Sequence, residues 1–425
     1  MNWRQRYHLR LYFRSSLWIL PAISIVAALL SVRLLMRYEE ATGSHIDIST
    51  ENVRAIMSTI AGSTFTLVVL VSSAVLLAVQ LAGAQLTPRI IAMVYRNPYQ
   101  KSAFSVFVFT FTFSAALLLR IDKTAPRIAS YAAAYGFLLD IALFILFIDN
   151  VGKMLRPSSA AAAVAKFGRV VIRSVYPVLL GDDVVAVAPI RNDNHRQPRT
   201  VSSAIDGAVL AFDHTGLVTL AQRHDCMIEL VPEVGQFIAE GDPLFRVYHG
   251  GAGLTDVALR NSVAHGAERT LEQDPLFAFR ILVDIAAKAL SPAINDPTTA
   301  VLAIDHIHYL LREVGKRHLG DGRVTDQGGR LRLVYRTPNW EDFVQLGVTE
   351  IRHYGRDSIQ VQRRLRAMLE DLRQTLAPRR APVLQQELAL LTTSTKRTFH
   401  DLADQTLAET ADLQGMGGRY EVNEN

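Results

Sequence analysis

The first 150 residues hold four apolar stretches that crowd together, and the rest of the chain has none like them. Uncharged runs lie between Arg14 and Arg33, between Arg54 and Arg89 and between Lys101 and Arg120, and the fourth stretch runs from Ser130 to Asn150, interrupted by Asp140. Each reaches or approaches the roughly 18 to 20 residues that a spanning helix needs. The chain therefore reads as four transmembrane helices followed by a soluble remainder, with the fourth span as the boundary. Asp140 stands near the middle of that span, and an ionisable group at mid-membrane depth is a functional candidate by default.

The basic start MNWRQRYHLRLYFR precedes an apolar run, as a secretory signal would. That run ends in SVRLLMRYEE with no small-residue cleavage site, so it is expected to remain as an uncleaved first span. The one cysteine, Cys226, excludes an internal disulfide and a cysteine-cluster metal site. A formal charge of +5 is modest for 425 residues. The basic excess flanks the membrane half, with Arg4, Arg6, Arg10 and Arg14 before it and Lys153, Arg156, Lys166 and Arg169 after it. This places both termini on the cytoplasmic side. The basic excess is read as placement at a membrane surface, so nucleic acid is not an expected partner.

The second span carries a polar face. Alternate steps of three and four from Thr59 give Thr59, Gly62, Thr66, Val69, Ser73, Leu76, Gln80, Gly83 and Thr87 on one side of a helix. Two readings stand: a close-packing seam, in which small residues let helices approach, or a water-contacting stripe lining a pathway. The third span is rich in phenylalanine and suits a lipid-facing or packing helix. Between them LTPRIIAMVYRNPYQK contains turn signals and room for a short in-plane helix.

In the fourth span Ala132, Gly136 and Asp140 share a face, which should turn towards other helices. A central Asp costs about 3 kcal/mol on insertion, and neighbouring Leu, Ile and Phe return about 0.3 to 0.6 each. Spans two and four should run in the same direction, which places Asp140 near the depth of Ser73 and Asp149 near Gln80. Asp140, Thr66, Ser73, Gln80 and Asp149 are thus the candidates for a pathway or an ion site. Against this, Asp140 reads equally as a structural carboxyl held by hydroxyls, and Asp149 as an interfacial residue.

The soluble half opens with a connecting helix from Arg156 to Val175 and a linker over 188–200. Residues 201–250 then read as strand, helix, strand, short strand and strand. The cadence VGQFIAEGDPLFRV is similar to the half-barrel of lipoyl and membrane-fusion-type domains, although no lysine occupies a hairpin tip that could carry a swinging cofactor arm. No cofactor is expected. A helical region over 251–414 follows, with a hairpin at 320–338 and a disordered tail at 415–425. Its centre holds a helix that stops at Ser291-Pro292 and a second that starts from Asn295 or Asp296, with Pro297 in first position and Thr298 and Thr299 in the first turn. This is either a rigid corner or, through Asn295, Asp296, Thr298 and Thr299, a contact site for a polar ligand or partner. Asp305 and His308 share a helix face, which is weak metal evidence.

With the four spans, the QLAGAQLTPR end of the second and the DPLFAFRILVDIAAKALSPAINDPTTA string, the chain resembles a bacterial family of predicted membrane proteins of unknown function. The resemblance implies a multi-pass protein of the bacterial inner membrane and carries no activity. The expected fold class is an α-helical polytopic membrane domain over residues 1–156, then a connecting segment over 157–200 and an α+β soluble domain with a lipoyl-like half-barrel and a helical region. No Walker loop, GxSxG, HExxH or dinucleotide fingerprint occurs, so the protein is not read as an enzyme. A hydrolase using Asp296 with His306 or His308 is the remaining catalytic alternative. The leading expectation is a homo-oligomeric ion channel or transporter with a cytoplasmic assembly or gating domain, and the alternative is a membrane-anchored sensor or scaffold whose cytoplasmic domain binds a partner or small ligand.

Overall fold

The computed structural model describes residues 1–43, 49–91, 98–121, 126–181 and 197–418. Residues 92–97 of the expected in-plane helix, 188–196 of the expected linker and 419–425 of the expected tail lie outside them. The chain forms two compact units, one of Arg10–Ser159 and one of Met1–Leu9 with Ala160–Asn425.

Helix α1 (Trp3–Ser15) precedes four helices long and apolar enough to cross a membrane: α2 (Ile19–Thr42), α3 (Thr50–Gln85), α4 (Pro98–Leu118) and α5 (Arg127–Met154). The phenylalanine-rich α4 is the central helix, packed against α2, α3 and α5. No residue from Ala103 to Leu118 is exposed. Its composition explains this, because the bulky Phe107 and Phe113 alternate with small, buried Ser105, Thr110 and Ser114, which fit knobs and gaps of three neighbours at once. One apolar cluster gathers Ala28, Val32, Met57, Leu117 and Ala133, and a second gathers Val71, Ala103, Phe107 and Phe147.

Polar groups from neighbouring helices close the helix ends. Arg54 in the first turns of α3 donates to the carbonyl of Ile121, just past the end of α4, at 2.7 Å. A cation belongs there, at the negative end of the helix dipole. Pro126 precedes α5 and supplies no side-chain cap. Glu39 of α2 supplies one instead, its Oε1 accepting from the Ala129 N–H at 2.7 Å while the side chain stays buried.

The second unit contains two sheets. Strands β1 (Arg199–Ser202), β2 (Gly207–Phe212), β3 (Met227–Leu230), β4 (Phe237–Ile238), β5 (Pro243–Tyr248), β6 (Val263–Gly266), β7 (Arg323–Thr325) and β8 (Leu331–Tyr335) arrange as a three-stranded sheet in the order β4-β2-β6 and a five-stranded sheet in the order β1-β5-β3-β8-β7. Helices α6 (Pro157–Val175), α7 (His214–Arg223) and α8 (Asp256–Arg260) accompany them. The strand, helix, strand, short strand, strand series and the hairpin form where the sequence places them. They do not close into a self-contained half-barrel over 201–250. The two-residue β4 pairs with β2, leaving an edge of β3 open, and β8 of the hairpin takes that edge in parallel register. One apolar core, including Val209, Leu217, Ile228, Phe245, Leu259 and Leu333, draws on both sheets and on α7 and α8.

The helical part comprises α9 (Pro275–Ala289), α10 (Pro297–Gly315), α11 (Trp340–Tyr354), α12 (Ile359–Thr375), α13 (Ala381–Thr398) and α14 (Leu402–Ala408). Phe279 and Phe343 meet at 5.3 Å between α9 and α11. Gly168 brings α6 against α9 so closely that a Cβ there would lie 2.7 Å from the Cβ of Ala278. The expected tail is anchored at its start. The fully buried guanidinium of Arg363 donates to the carbonyls of Thr410 (3.1 Å), Gly417 (2.9 Å) and Gly418 (2.8 Å), and Asp412 accepts from the N–H groups of Gly415 and Gly417. Gly415–Gly418 is therefore part of the fold, because three carbonyls replace the water a buried cation has lost.

Replacing Arg363 with Met keeps the volume and removes these bonds. We expect a loss of about 3 kcal/mol and new cleavage by trypsin or proteinase K near residues 410–418, read by mass spectrometry of the fragments.

Candidate functional site

Four chain reversals of the second unit converge on one cleft of about 440 Å³. β2 ends at Phe212, and Asp213 caps α7 by accepting from the Gly216 N–H at 2.9 Å, which sets His214 in the first turn. Tyr335 ends β8, Tyr176 follows α6, and Asp274 caps α9 by accepting from the Phe277 N–H at 3.1 Å. Gln273 fixes the approach of α9 to the sheet, since its amide both accepts from and donates to the backbone of Phe212, at 3.1 and 3.3 Å.

The aromatic groups pack in the tilted and edge-on arrangements that ring quadrupoles favour. Phe212 and Tyr335 lie 5.0 Å apart, and His214 meets Tyr335 edge-on at 6.0 Å. The hydroxyl of Tyr176 shares a 3.0 Å hydrogen bond with Thr337, and burial pushes its pKa above the ordinary phenol range. Asp274 is buried, and that burial pushes its carboxyl up to about 6. Among the described residues its Oδ2 has no hydrogen-bond partner, and it lies 3.9 Å from the guanidinium of Arg269. An aromatic wall with a few converging polar groups is the usual make-up of a small-molecule site.

The residues singled out in the sequence fall elsewhere. Asp140 is fully buried, and among the described residues its hydrogen-bond partners are two hydroxyls of its own chain, Thr110 at 3.2 Å and Thr64 at 3.4 Å. Gly136, one turn earlier, faces Thr110, and a Cβ there would sit 3.4 Å from that hydroxyl, within ordinary contact. The expected level with Ser73 is corrected to Thr64. α3 begins at Thr50 beside the start of α5 at Arg127, so equal counts along both helices bring residue 140 to about residue 63. Thr66, Ser73 and Gln80 lie exposed on another face of α3, where Thr66 donates to the Gly62 carbonyl of its own helix at 3.0 Å. Asp149 is exposed and paired with Lys153 at 2.5 Å.

At the Ser291–Ala300 corner the left-handed backbone of Asn295 (φ 48°) turns the chain, and the Asp296 N–H returns to the Ala289 carbonyl at 2.8 Å. Both carboxylate oxygens of Asp296 are taken by Thr299, one by its N–H at 3.0 Å and one by its hydroxyl at 2.5 Å. Asn295 and Thr298 are exposed on the outside of this corner. Asp296 stands about 15 Å of helical rise from His306 and about 18 Å from His308, too far for a shared catalytic step. His308 bonds Asp371 at 2.7 Å, and Arg364 fills the space between His308 and Asp305.

Sequence reading missed the cleft, since its walls come from five separated segments. It also missed His265 on β6, which is buried with neither ring nitrogen hydrogen-bonded among the described residues. Burial lowers its pKa, and the nearby Arg4 and His8 of α1 lower it further. The start of α1 docks beside it, the Arg4 N–H donating to the Asn261 carbonyl at 3.2 Å and Tyr7 meeting Thr270 at 3.4 Å.

A family of proteins described as "Predicted membrane protein (DUF2254)" has a model that matches residues 14–371. The chain belongs to that family. The family region contains all four candidate spans, Asp140, His265 and the whole cleft, and ends within α12. An uncharacterized protein of Mycobacterium bovis and one of Mycobacterium tuberculosis are each 24% identical to it over 414 residues, covering 93% of this chain and 79% of the relative. No solved structure matches the chain.

His265 is neutral when folded and free to take a proton when unfolded, so its contribution is complete above about pH 6.5 and is lost as the pH falls below that value. The unfolding free energy of the wild type, measured by denaturant titration, should decline more steeply from pH 7 to pH 5 than that of His265→Phe, by up to about 1.4 kcal/mol per pH unit. Parallel slopes for the two proteins would contradict this assignment.

Proposed function

We propose that the chain is a membrane-anchored sensor or scaffold of the bacterial inner membrane, with cytoplasmic termini, whose soluble unit binds a small ligand in the Phe212–Tyr335 cleft. The reading assigns binding and no catalysis. The observation that carries it is the cleft itself: aromatic rings and a buried, incompletely satisfied carboxyl gathered by segments far apart in sequence. Supporting it from the membrane side, Asp140 is consumed within its own chain by Thr64 and Thr110, which suits a role in packing the anchor. The Asn295–Thr299 corner serves the same reading as rigid support, its Asp296 oxygens both engaged.

A homo-oligomeric channel or transporter is the second reading, and the exposed face bearing Thr66, Ser73 and Gln80 is what favours it. Copies meeting along that face would enclose a pathway on the outside of each chain's bundle. Asp140 would then set helix spacing without meeting the ion, and Asp149 would stand near a mouth.

Thermal-shift screening of the detergent-purified protein against small aromatic and amphipathic compounds should return a stabilising ligand. Its affinity should fall about tenfold or more in Tyr335→Ala and Phe212→Ala. Stabilisation that survives both substitutions would remove the cleft from the function. For the channel reading, liposomes carrying the protein should pass ions, Gln80→Leu should alter the flux, and Asp140→Asn should leave it in place. Sealed liposomes under every ion gradient would sink that reading.

A further inference from the structure

Two carboxyl groups line the aromatic cleft, Glu233 from the turn between β3 and β4 and Asp274 from the cap of α9. The Gly235 backbone fixes where the second one lies, since a Cβ on that glycine would stand 2.5 Å from Asp274 Oδ2 and 3.1 Å from the guanidinium carbon of Arg269. Asp274 Oδ2 is thus packed against the same turn that carries Glu233. The two carboxyls sense each other, because Glu233 adds to the rise that burial gives the Asp274 pKa. Asp274 is 3% exposed, its Oδ1 caps α9, and its Oδ2 has no hydrogen-bond partner among the described residues. The Glu233 carboxylate enters no hydrogen bond or ion pair among them either.

The protein's own cations answer this charge only in part. Arg269 stands 3.9 Å from Oδ2, beyond hydrogen-bond reach, and lies outside the lining of the cleft. Arg336 lines the cleft but is exposed, where water and salt screen its charge. Burial lowers the His214 pKa, so that ring is uncharged at neutral pH. The wall beside these carboxyls is made of Phe212 and Tyr335, 5.0 Å apart, and the faces of such rings attract cations. We infer that the cleft takes an organic amine, bound as its ammonium ion with an apolar body attached. The ammonium supplies charge and N–H donors to Asp274 and Glu233, and the body covers the rings. A neutral alcohol supplies a donor without the charge, and an acid brings a third negative group to a site that holds two.

This inference rests on the reading of the cleft as a binding site and names the class of molecule that fills it. Three probes share one ring system and differ in terminal charge: tryptamine, its neutral alcohol tryptophol, and indole-3-acetate. Their affinities for the full-length protein in phosphatidylcholine nanodiscs are measured by equilibrium dialysis at pH 7.5, with empty discs as the blank. Tryptamine should bind about tenfold more tightly than tryptophol, and indole-3-acetate should bind least. Asp274→Asn, which keeps the oxygen that caps α9, and Glu233→Gln should each weaken tryptamine about tenfold and leave tryptophol within about twofold of the wild type. Should Asp274→Asn not fold, Glu233→Gln decides the matter. Equal affinity for tryptamine and tryptophol overturns the amine assignment, as does undiminished tryptamine binding in the carboxyl variants or no tryptamine binding at all. If the equal affinities fall together in Tyr335→Ala, the cleft is a binding site for another class of molecule. If they persist in both Tyr335→Ala and Phe212→Ala, the cleft reading fails as well.

Discussion

A polar group inside an apolar medium must find a partner in the protein, and this requirement shapes both units of the chain. In the membrane unit the four helices are not joined by apolar contact alone, since lipid tails satisfy apolar surface as well as a neighbouring helix does. What ties them is polar: Asp140 between Thr64 and Thr110, Glu39 on the first turn of α5, Arg54 on the end of α4 and Lys101 on the end of α1. Each joins different elements, so together they specify which helices are neighbours and at what depth. The same rule governs the soluble unit, where Arg363 takes three carbonyls and Gln273 extends a strand through its amide.

Where the rule is left incompletely met, the structure has room for something else. The Gln100 oxygen borders an apolar pocket, and Asp274 Oδ2 belongs to a residue that borders the aromatic cleft. Among the described residues His265 has neither ring nitrogen satisfied, and it lies near Arg4 and His8 of α1. Two conspicuous carboxylates of the sequence are, by contrast, internally occupied. Asp140 and Asp296 have the partners that a structural carboxyl needs, and the ordinary cap and hydroxyl contacts account for both.

Local pattern carried a good deal of the fold. The four spans, the connecting helix, the hairpin around Asp326 and the Asp296-Pro297 helix start all follow from hydrophobic period, turn residues and capping chemistry. Pairing between distant segments did not follow. The parallel union of β3 with β8 joins segments about a hundred residues apart, while β4 pairs with β2 in the other sheet, and no local window reports either pairing. The depth of Asp140 was misjudged because α3 runs for 36 residues, about 54 Å, and so has no unique middle against a hydrocarbon layer of about 30 Å. The central place of α4 was equally hidden, since a helix rich in phenylalanine looks the same to lipid and to protein. The cleft was illegible for a plainer reason: Tyr176, Phe212, Asp274 and Tyr335 each look like an ordinary element boundary until the chain brings them together.

The β3–β8 pairing also governs the order in which the soluble unit can be assembled. Ile228 is registered against Leu333, and α9 and α10 lie between them in sequence. Closing so long a loop carries an entropic cost before any contact rewards it. On a ribosome, β3 emerges with its edge bare and keeps it until both helices and the hairpin have followed. The Phe212–Tyr335 contact is made in that same closing step, so the cleft comes into being only with the completed sheet, and a chain truncated before residue 331 has strands but no cleft.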